Sequence, residues 1–319
     1  MRPLALTRQL LTASLLALSA CASLPQETPF PLPSQSGSPT DWTAVFARPT
    51  DIEVIPLVTG EIEVDRSLLL DLDNTALADR KDRKQWVPVV AYLVRHPTRG
   101  AFLIDTGFDS SFSRSGHGNF GGLAPLFDFA RQSQGHDTAS LLREAGTPPE
   151  ELQGIFLTHM HSDHTAGLPE LPHSVPVVTG RGALSGYESP VYASNDHLEG
   201  IREVQALDFS SVPESLGGRV LDVFGDGSLF ALSTAGHTEG NVSYLVNGRR
   251  GPVLLTGDAS HTREGFEQGV APGKVEDRKA ANASLAHLRE LMATHPELHV
   301  RFGHEASDWD LSRGIQDAL

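Results

Sequence analysis

Residues 157 to 171 read LTHMHSDHTAGLPEL, which places His159, His161, Asp163 and His164 within six positions, directly after an apolar run. Imidazole nitrogens and carboxylate oxygens at that density are metal-ligating chemistry, because both suit zinc and related divalent ions. If the strand beginning IFLT carries on to His159, side chains at i and i+2 point the same way, so His159 and His161 grip one ion. Asp163 and His164 follow where SDHTAGL can turn into a helix start, which lets them diverge toward a second ion. The spacing thus predicts two adjacent metals.

Three more candidates sit at the ends of other apolar runs: His237 in STAGHTEGN, Asp258 in LLTGDAS and His304 in RFGHEAS. Loops at strand ends commonly carry functional groups on a rigid scaffold. Each candidate also follows a glycine, which permits tight turns and close backbone approach. The single cysteine, Cys21, lies near the N-terminus, so the folded part has neither an internal disulfide nor thiolate ligands. The other histidines, at 96, 117, 136, 173, 197, 287, 295 and 299, read as structural or surface residues.

The elements that must position these groups are visible as short apolar runs bounded by turn residues. Strands are expected at 86–94, 101–105, 155–159, 175–179, 220–224, 229–233, 242–246, 252–257 and 298–303. Helical spacing appears in DTASLLREAG and in KAANASLAHLRELMATHP, where Leu285, Leu288 and Met292 recur at i, i+3 and i+7 and Pro296 marks the end. Strands mixed with helices, several of the strands joined by short loops, predict an α/β layered fold with mixed sheets. No internal repeat interrupts the stretch from 46 to 319, which reads as one domain.

Together the candidate residues resemble the metallo-β-lactamase superfamily over about residues 50 to 305. The H-x-H-x-D-H motif is His159, His161, Asp163 and His164, and the later His, Asp and His fall on His237, Asp258 and His304. IDTGFD, with Asp105, matches the early D-T-G turn. The resemblance implies a four-layer αβ/βα sandwich of two mixed β-sheets flanked by helices. It implies a dinuclear zinc centre in which His159, His161 and His237 hold one zinc, Asp163, His164 and His304 hold the other, and Asp258 bridges. Asp105 is expected to orient a ligand. A hydroxide between the two zinc ions would attack a carbonyl carbon.

GDASHTREGF, the helix after it and RFGHE are similar to N-acyl homoserine lactonases, as is WVPVVAYLVRHPTRGAFLIDTGFDSSF before the motif. Those enzymes commonly place a substrate-contacting tyrosine three residues after the bridging aspartate; here that position is His261. The expectation is a zinc hydrolase opening a lactone or cleaving another small ester, with Asp163 passing a proton to the leaving alkoxide and His261 stabilising an oxyanion. The same resemblance leaves open a thioesterase of the glyoxalase II type, an organophosphate hydrolase, a β-lactamase or an iron persulfide dioxygenase.

At the N-terminus, Arg2 and Arg8 precede an apolar stretch from about Leu10 to Ala20, which reads as a signal peptide over 1–20 and is too short to span a bilayer as a helix. Leu18-Ser19-Ala20-Cys21 resembles a bacterial lipobox, so Cys21 is expected to be lipidated, followed by a Pro- and Ser-rich flexible tether over 21–45. That implies a membrane-anchored periplasmic lipoprotein, outer membrane preferred. The formal charge of −15 argues against nucleic acid and leaves a small molecule as substrate. Asp71, Asp73 and Thr75 imitate a D-x-D-x-T phosphatase signature, but the surrounding chain belongs to the zinc pattern, so an exposed turn is expected. The glycine-rich stretch with Phe112, Phe120, Leu123, Leu126, Phe127 and Phe129 is either an apolar lid or loop packing, and Tyr187 and Tyr192 are equally open.

Overall fold

The structure is a computed structural model that describes residues 24–34, 39–121, 126, 128–185 and 195–319. The expected signal peptide, Cys21, Leu123, Phe127, Tyr187 and Tyr192 lie outside the described residues. In chain order the strands and helices are β1 (Gln26–Pro29), α1 (Trp42–Phe46), β2 (Glu53–Asp65), α2 (Arg66–Leu69), β3 (Lys84–His96), β4 (Gly100–Ile104), β5 (Ala130–Arg131), α3 (Thr138–Glu144), β6 (Leu152–Phe156), α4 (Ser162–Thr165), β7 (Val177–Gly180), β8 (Glu203–Leu207), β9 (Glu214–Ser215), β10 (Gly218–Asp222), β11 (Leu229–Ser233), β12 (Val242–Gly248), β13 (Gly251–Leu255), α5 (Arg263–Gln268), α6 (Arg278–Thr294) and β14 (His299–Arg301). Among the described residues they form two sheets, ordered β1-β8-β7-β6-β4-β3-β2-β5 and β14-β13-β12-β11-β10-β9. Both mix parallel and antiparallel pairs.

Strand side chains alternate, and here both faces are buried. Val90, Tyr92 and Val94 of β3 meet Val242, Tyr244 and Val246 of β12 and Val253 and Leu255 of β13 between the sheets. Their neighbours Ala91 and Leu93 instead pack under α3 with Leu141 and Leu142. Leu245 and Leu254 likewise face away from the first sheet, against Leu285, Leu288 and Leu291 of α6. Burial on both faces is why these strands read as nearly unbroken apolar runs. The result is helices outside, two sheets inside, as the resemblance implies. Each long helix has a side-chain cap: Asp137 accepts from Ser140 N at 2.8 Å and Asp277 from Ala280 N at 3.0 Å.

Several expectations change. The strand placed at 155–159 ends at Phe156, so His159 lies beyond it in a loop. The long strand β2 and the strand β8 carry mixed polar and apolar residues and were not apparent as apolar runs. The span 21–45, read as a flexible tether, is docked where it is described. Gln26 to Pro29 pair in parallel with Glu203 to Ala206, and Trp42 is buried with its indole N–H donating to Leu216 O at 2.8 Å. The Pro and Ser content concealed that few apolar residues suffice for an edge strand. Of the stretch left open between lid and loop packing, Phe112 packs, stacking on Phe108 at 3.8 Å and buried with Ile62, Leu69 and Val87, whereas Leu126 is 72% exposed. Asn74 caps the short turn Thr75–Leu77, so the D-x-D-x-T imitation is a turn.

Candidate metal centre

All seven expected ligands converge at one end of the sandwich, where the two sheets are tied together by Val242 N donating to Thr158 O at 2.8 Å. Their ligand atoms fall into compact groups, His159, His161, His237 and Asp258 in one and Asp163, His164 and His304 in another, each spanning no more than 4.8 Å. Asp258 divides between them. Its Oδ2 lies 3.5 Å from His159 Nε2 and 3.3 Å from His237 Nε2, while its Oδ1 lies 3.5 Å from His164 Nε2 and 3.4 Å from His304 Nε2. Asp163 Oδ2 closes the second group at 3.5 Å from His164 and 3.4 Å from His304.

Local chain chemistry sets these positions. Met160 is buried and anchors the loop between the two histidines of the motif. The one-turn α4 is held by Thr106, whose N–H and Oγ1 both donate to His164 O, at 2.9 and 2.8 Å. Gly236 precedes His237 with φ of 133°, and a Cβ there would lie 2.1 Å from Ala281 N, so only glycine lets the loop rest on α6. Gly303 plays a similar part before His304, because a Cβ would meet Asp258 Oδ1 at 2.5 Å. Asp105 has a φ of 54°, a left-handed conformation that aspartate tolerates better than most residues. It uses that turn to accept from Thr158 N at 2.7 Å and to meet His164 Nδ1 at 2.8 Å.

Electrostatics separate the groups. Burial pushes His159 and His161 well below the ordinary histidine range, helped by neighbouring imidazoles. Burial opposes protonation of His164 too, but the carboxylates of Asp105, Asp163 and Asp258 outweigh it and hold His164 well above that range. His304 is raised in the same way by Asp258 and Asp163. For Asp258 burial alone would raise the pKa, yet His261, His304, His164 and His159 together hold it far below the usual carboxylate range.

His159 Nε2, His164 Nε2 and Asp258 Oδ1 are buried without a hydrogen-bond partner. Each such atom costs about 1–3 kcal/mol if nothing occupies it. Three in one cluster of nitrogen and oxygen donors fit divalent cations. His261 also enters the cluster, with Nε2 3.0 Å from Asp258 Oδ2, so it faces ligands rather than open solvent. Two contributors escaped the sequence reading. Thr158, whose Oγ1 lies 3.1 Å from His159 Nδ1 and 2.9 Å from Asp105 Oδ2, announces itself only as the residue before His159. Pro88, whose carbonyl meets His304 Nδ1 at 2.9 Å, leaves no trace in the side-chain pattern. His197 is buried as expected of a structural residue, between Thr165 Oγ1 at 2.9 Å and Asn119 Oδ1 at 3.0 Å.

A helix-flanked pair of sheets with this cluster at the edge defines a class, and the sequence profile of the metallo-beta-lactamase superfamily matches residues 85–304. The chain belongs to that superfamily. Among its relatives is the N-acyl homoserine lactonase AttM of Azorhizobium caulinodans, 24% identical over 262 residues, covering 82% of this chain and 95% of the relative. A crystal structure of a mutant AiiA from B. thuringiensis, with N-decanoyl-L-homoserine bound at the active site, superposes with a TM-score of 0.64 at 22% identity, covering 81% of this chain and 95% of that one. AidC, a dizinc quorum-quenching lactonase in complex with a product, superposes with a TM-score of 0.56 at 16% identity, covering 89% and 94%.

Proposed function

We propose that this hydrolase opens the ring of an N-acyl homoserine lactone or a closely related small ester, using two zinc ions held by the ligands above. The carrying observation is the division of Asp258: one buried carboxylate presents each oxygen to a separate imidazole group. The relatives' activity and the dizinc centre of AidC support the substrate class and the metal.

Zinc bound there supplies Lewis acidity toward the ester carbonyl and toward water. The protein's own groups do the rest. Asp105 and Pro88 O fix the rings of His164 and His304 so that Nε2 of each faces the reacting region. Asp163 is the least buried carboxylate of the cluster, with 14% of its side chain exposed, so the oxygen that does not close the ligand group, Oδ1, can take a proton from the attacking water and return it to the leaving alkoxide. The net change adds one water across the ester bond and yields an alcohol and a carboxylic acid, which releases its proton to solvent as the carboxylate. Near-complete burial of the imidazoles keeps bulk water away and strengthens each interaction.

We further propose that Cys21 carries a lipid anchor and that the chain acts at a bacterial membrane surface, supported by the lipobox-like Leu18-Ser19-Ala20-Cys21. Extraction with detergent but not with high salt, abolished by Cys21→Ser, tests that reading.

The catalytic reading is tested on protein with its metals quantified, comparing kcat/KM on a long-chain acyl homoserine lactone, an aryl ester and an organophosphate. About two zincs per chain and strongest turnover of the lactone is expected. Turnover confined to the other two substrates would overturn the lactonase assignment while retaining the centre.

A further inference from the structure

His261 was expected to contact substrate, in the place of a family tyrosine. Its surroundings are those of a ligand. The imidazole is buried, and Nδ1 lies 3.2 Å from the carbonyl oxygen of Leu69. A carbonyl only accepts, so the proton resides on Nδ1 and the lone pair of a neutral ring resides on Nε2. That nitrogen points at Asp258 Oδ2 from 3.0 Å. Asp258 Oδ2 only accepts, so either a proton or a metal ion stands between the two atoms, and the ring is placed to give Nε2 to an ion shared with Asp258.

The arrangement parallels that of His304, whose Nδ1 is likewise spent on a backbone carbonyl and whose Nε2 faces the other oxygen of Asp258, Oδ1, at 3.4 Å. A ring nitrogen fixed by an outer acceptor, with the other aimed at the centre, is the usual construction of a metal-bound histidine. The backbone enforces the pairing of the two residues. His304 N donates to His261 O at 2.8 Å and Gly303 N to Ser260 O at 3.2 Å, so the turns after β13 and β14 are laced side by side. Asp258, His261 and His304 consequently present ligand atoms within 4.8 Å of one another, while the rings of His261 and His237 have centroids 5.2 Å apart.

We propose that His261 is an additional metal ligand of this centre, on the edge shared by Asp258 and His304, and not a donor to the substrate. The proposal rests on the metal reading given above. Its consequence is a centre with one more nitrogen ligand than the family pattern of seven residues provides, and with a substrate contact removed.

The test uses the metal-loaded full domain and its His261→Ala and His261→Gln variants, with His304→Ala as the reference for a lost ligand. Metal affinity is measured by competition with a chelator, and the cobalt(II)-substituted proteins are compared by visible absorption. The expected result is a weaker hold on one ion in both His261 variants, as large as that in His304→Ala and beyond the roughly 10- to 100-fold loss that follows removal of a group that only orients a ligand, with an altered cobalt spectrum. Far-UV circular dichroism identifies a variant that fails to fold, and the glutamine variant keeps the volume if alanine collapses. Unchanged affinity and spectrum with a raised KM or lowered kcat would return His261 to the substrate and overturn the proposal alone. Wild-type protein that retains no metal would overturn it together with the dizinc reading.

Discussion

The two oxygens of Asp258 look out on opposite electrostatic designs. On the Oδ2 side, His159 and His161 are crowded by other imidazoles, and His161 Nδ1 lies 3.0 Å from His237 Nε2. Burial there favours the neutral ring. On the Oδ1 side, His164 and His304 each have an outer acceptor and a share of Asp163. Carboxylates there favour the protonated ring when no cation is present. The comparison teaches that one ligand set is ready to donate nitrogen lone pairs, while the other is charge-compensated and must exchange protons for metal.

The largest test of this division is Asp258→Ala. Removing one partner from buried charges costs about 3–5 kcal/mol, so both ions should be held at least about 100-fold less tightly. Chelator competition that found only one ion weakened would break the claim that the carboxylate serves both groups. Asp105→Asn should act mainly on the Oδ1 side, with that ion weakened about 10- to 100-fold and the other, which Asp105 reaches only through Thr158, weakened less. Gly303→Ala pushes a methyl group against Asp258 Oδ1. An overpacking cost of about 1–3 kcal/mol should appear as weakened binding of the same ion, and a thermal unfolding shift without change in metal affinity would show that the carboxylate simply moves aside.

Proton balance gives the subtlest test. His164 and His304 have raised pKa values, so metal uptake on their side releases protons, and affinity there rises with pH until those raised values are passed. His159 and His161 are already neutral, so affinity on their side stays flat from the ordinary histidine range, about 6.5, upward. Calorimetry in buffers of different ionisation enthalpy separates the two. The same shift bears on metal-free protein: the contribution of His164 with Asp105 is full below the ordinary histidine pKa and is lost as pH rises through the raised value. Asp105→Asn should flatten that part of the stability profile.

The sequence displays the ligands but not this difference. The motif at 159–164 is local, so residue types and spacing reveal it, and the glycines before His237, Asp258 and His304 flag the distant partners. What sets a histidine's charge is its burial and the carboxylates around it, and what fixes its direction is its other nitrogen, met for His304 and His261 by Pro88 O and Leu69 O, backbone atoms brought in by the sandwich. The same reason hid β2 and β8, which are strands because their neighbours need pairing and not because they are uniformly apolar. His261 was noticed as a departure from the tyrosine pattern, yet its direction could be known only from the lacing of two turns that are more than forty residues apart in the chain.

The edge strand β1 sets a leash length. Gln26 is fixed to Glu203, five positions after Cys21, and an extended chain covers at most about 3.6 Å per residue. A lipid on Cys21 would therefore hold the sheet edge within about 20 Å of the headgroups, so the domain could swivel on the bilayer but not roam above it. Acyl chains that partition into that membrane would be sampled by a surface-bound catalyst, and their local concentration, more than that in free solution, would govern turnover.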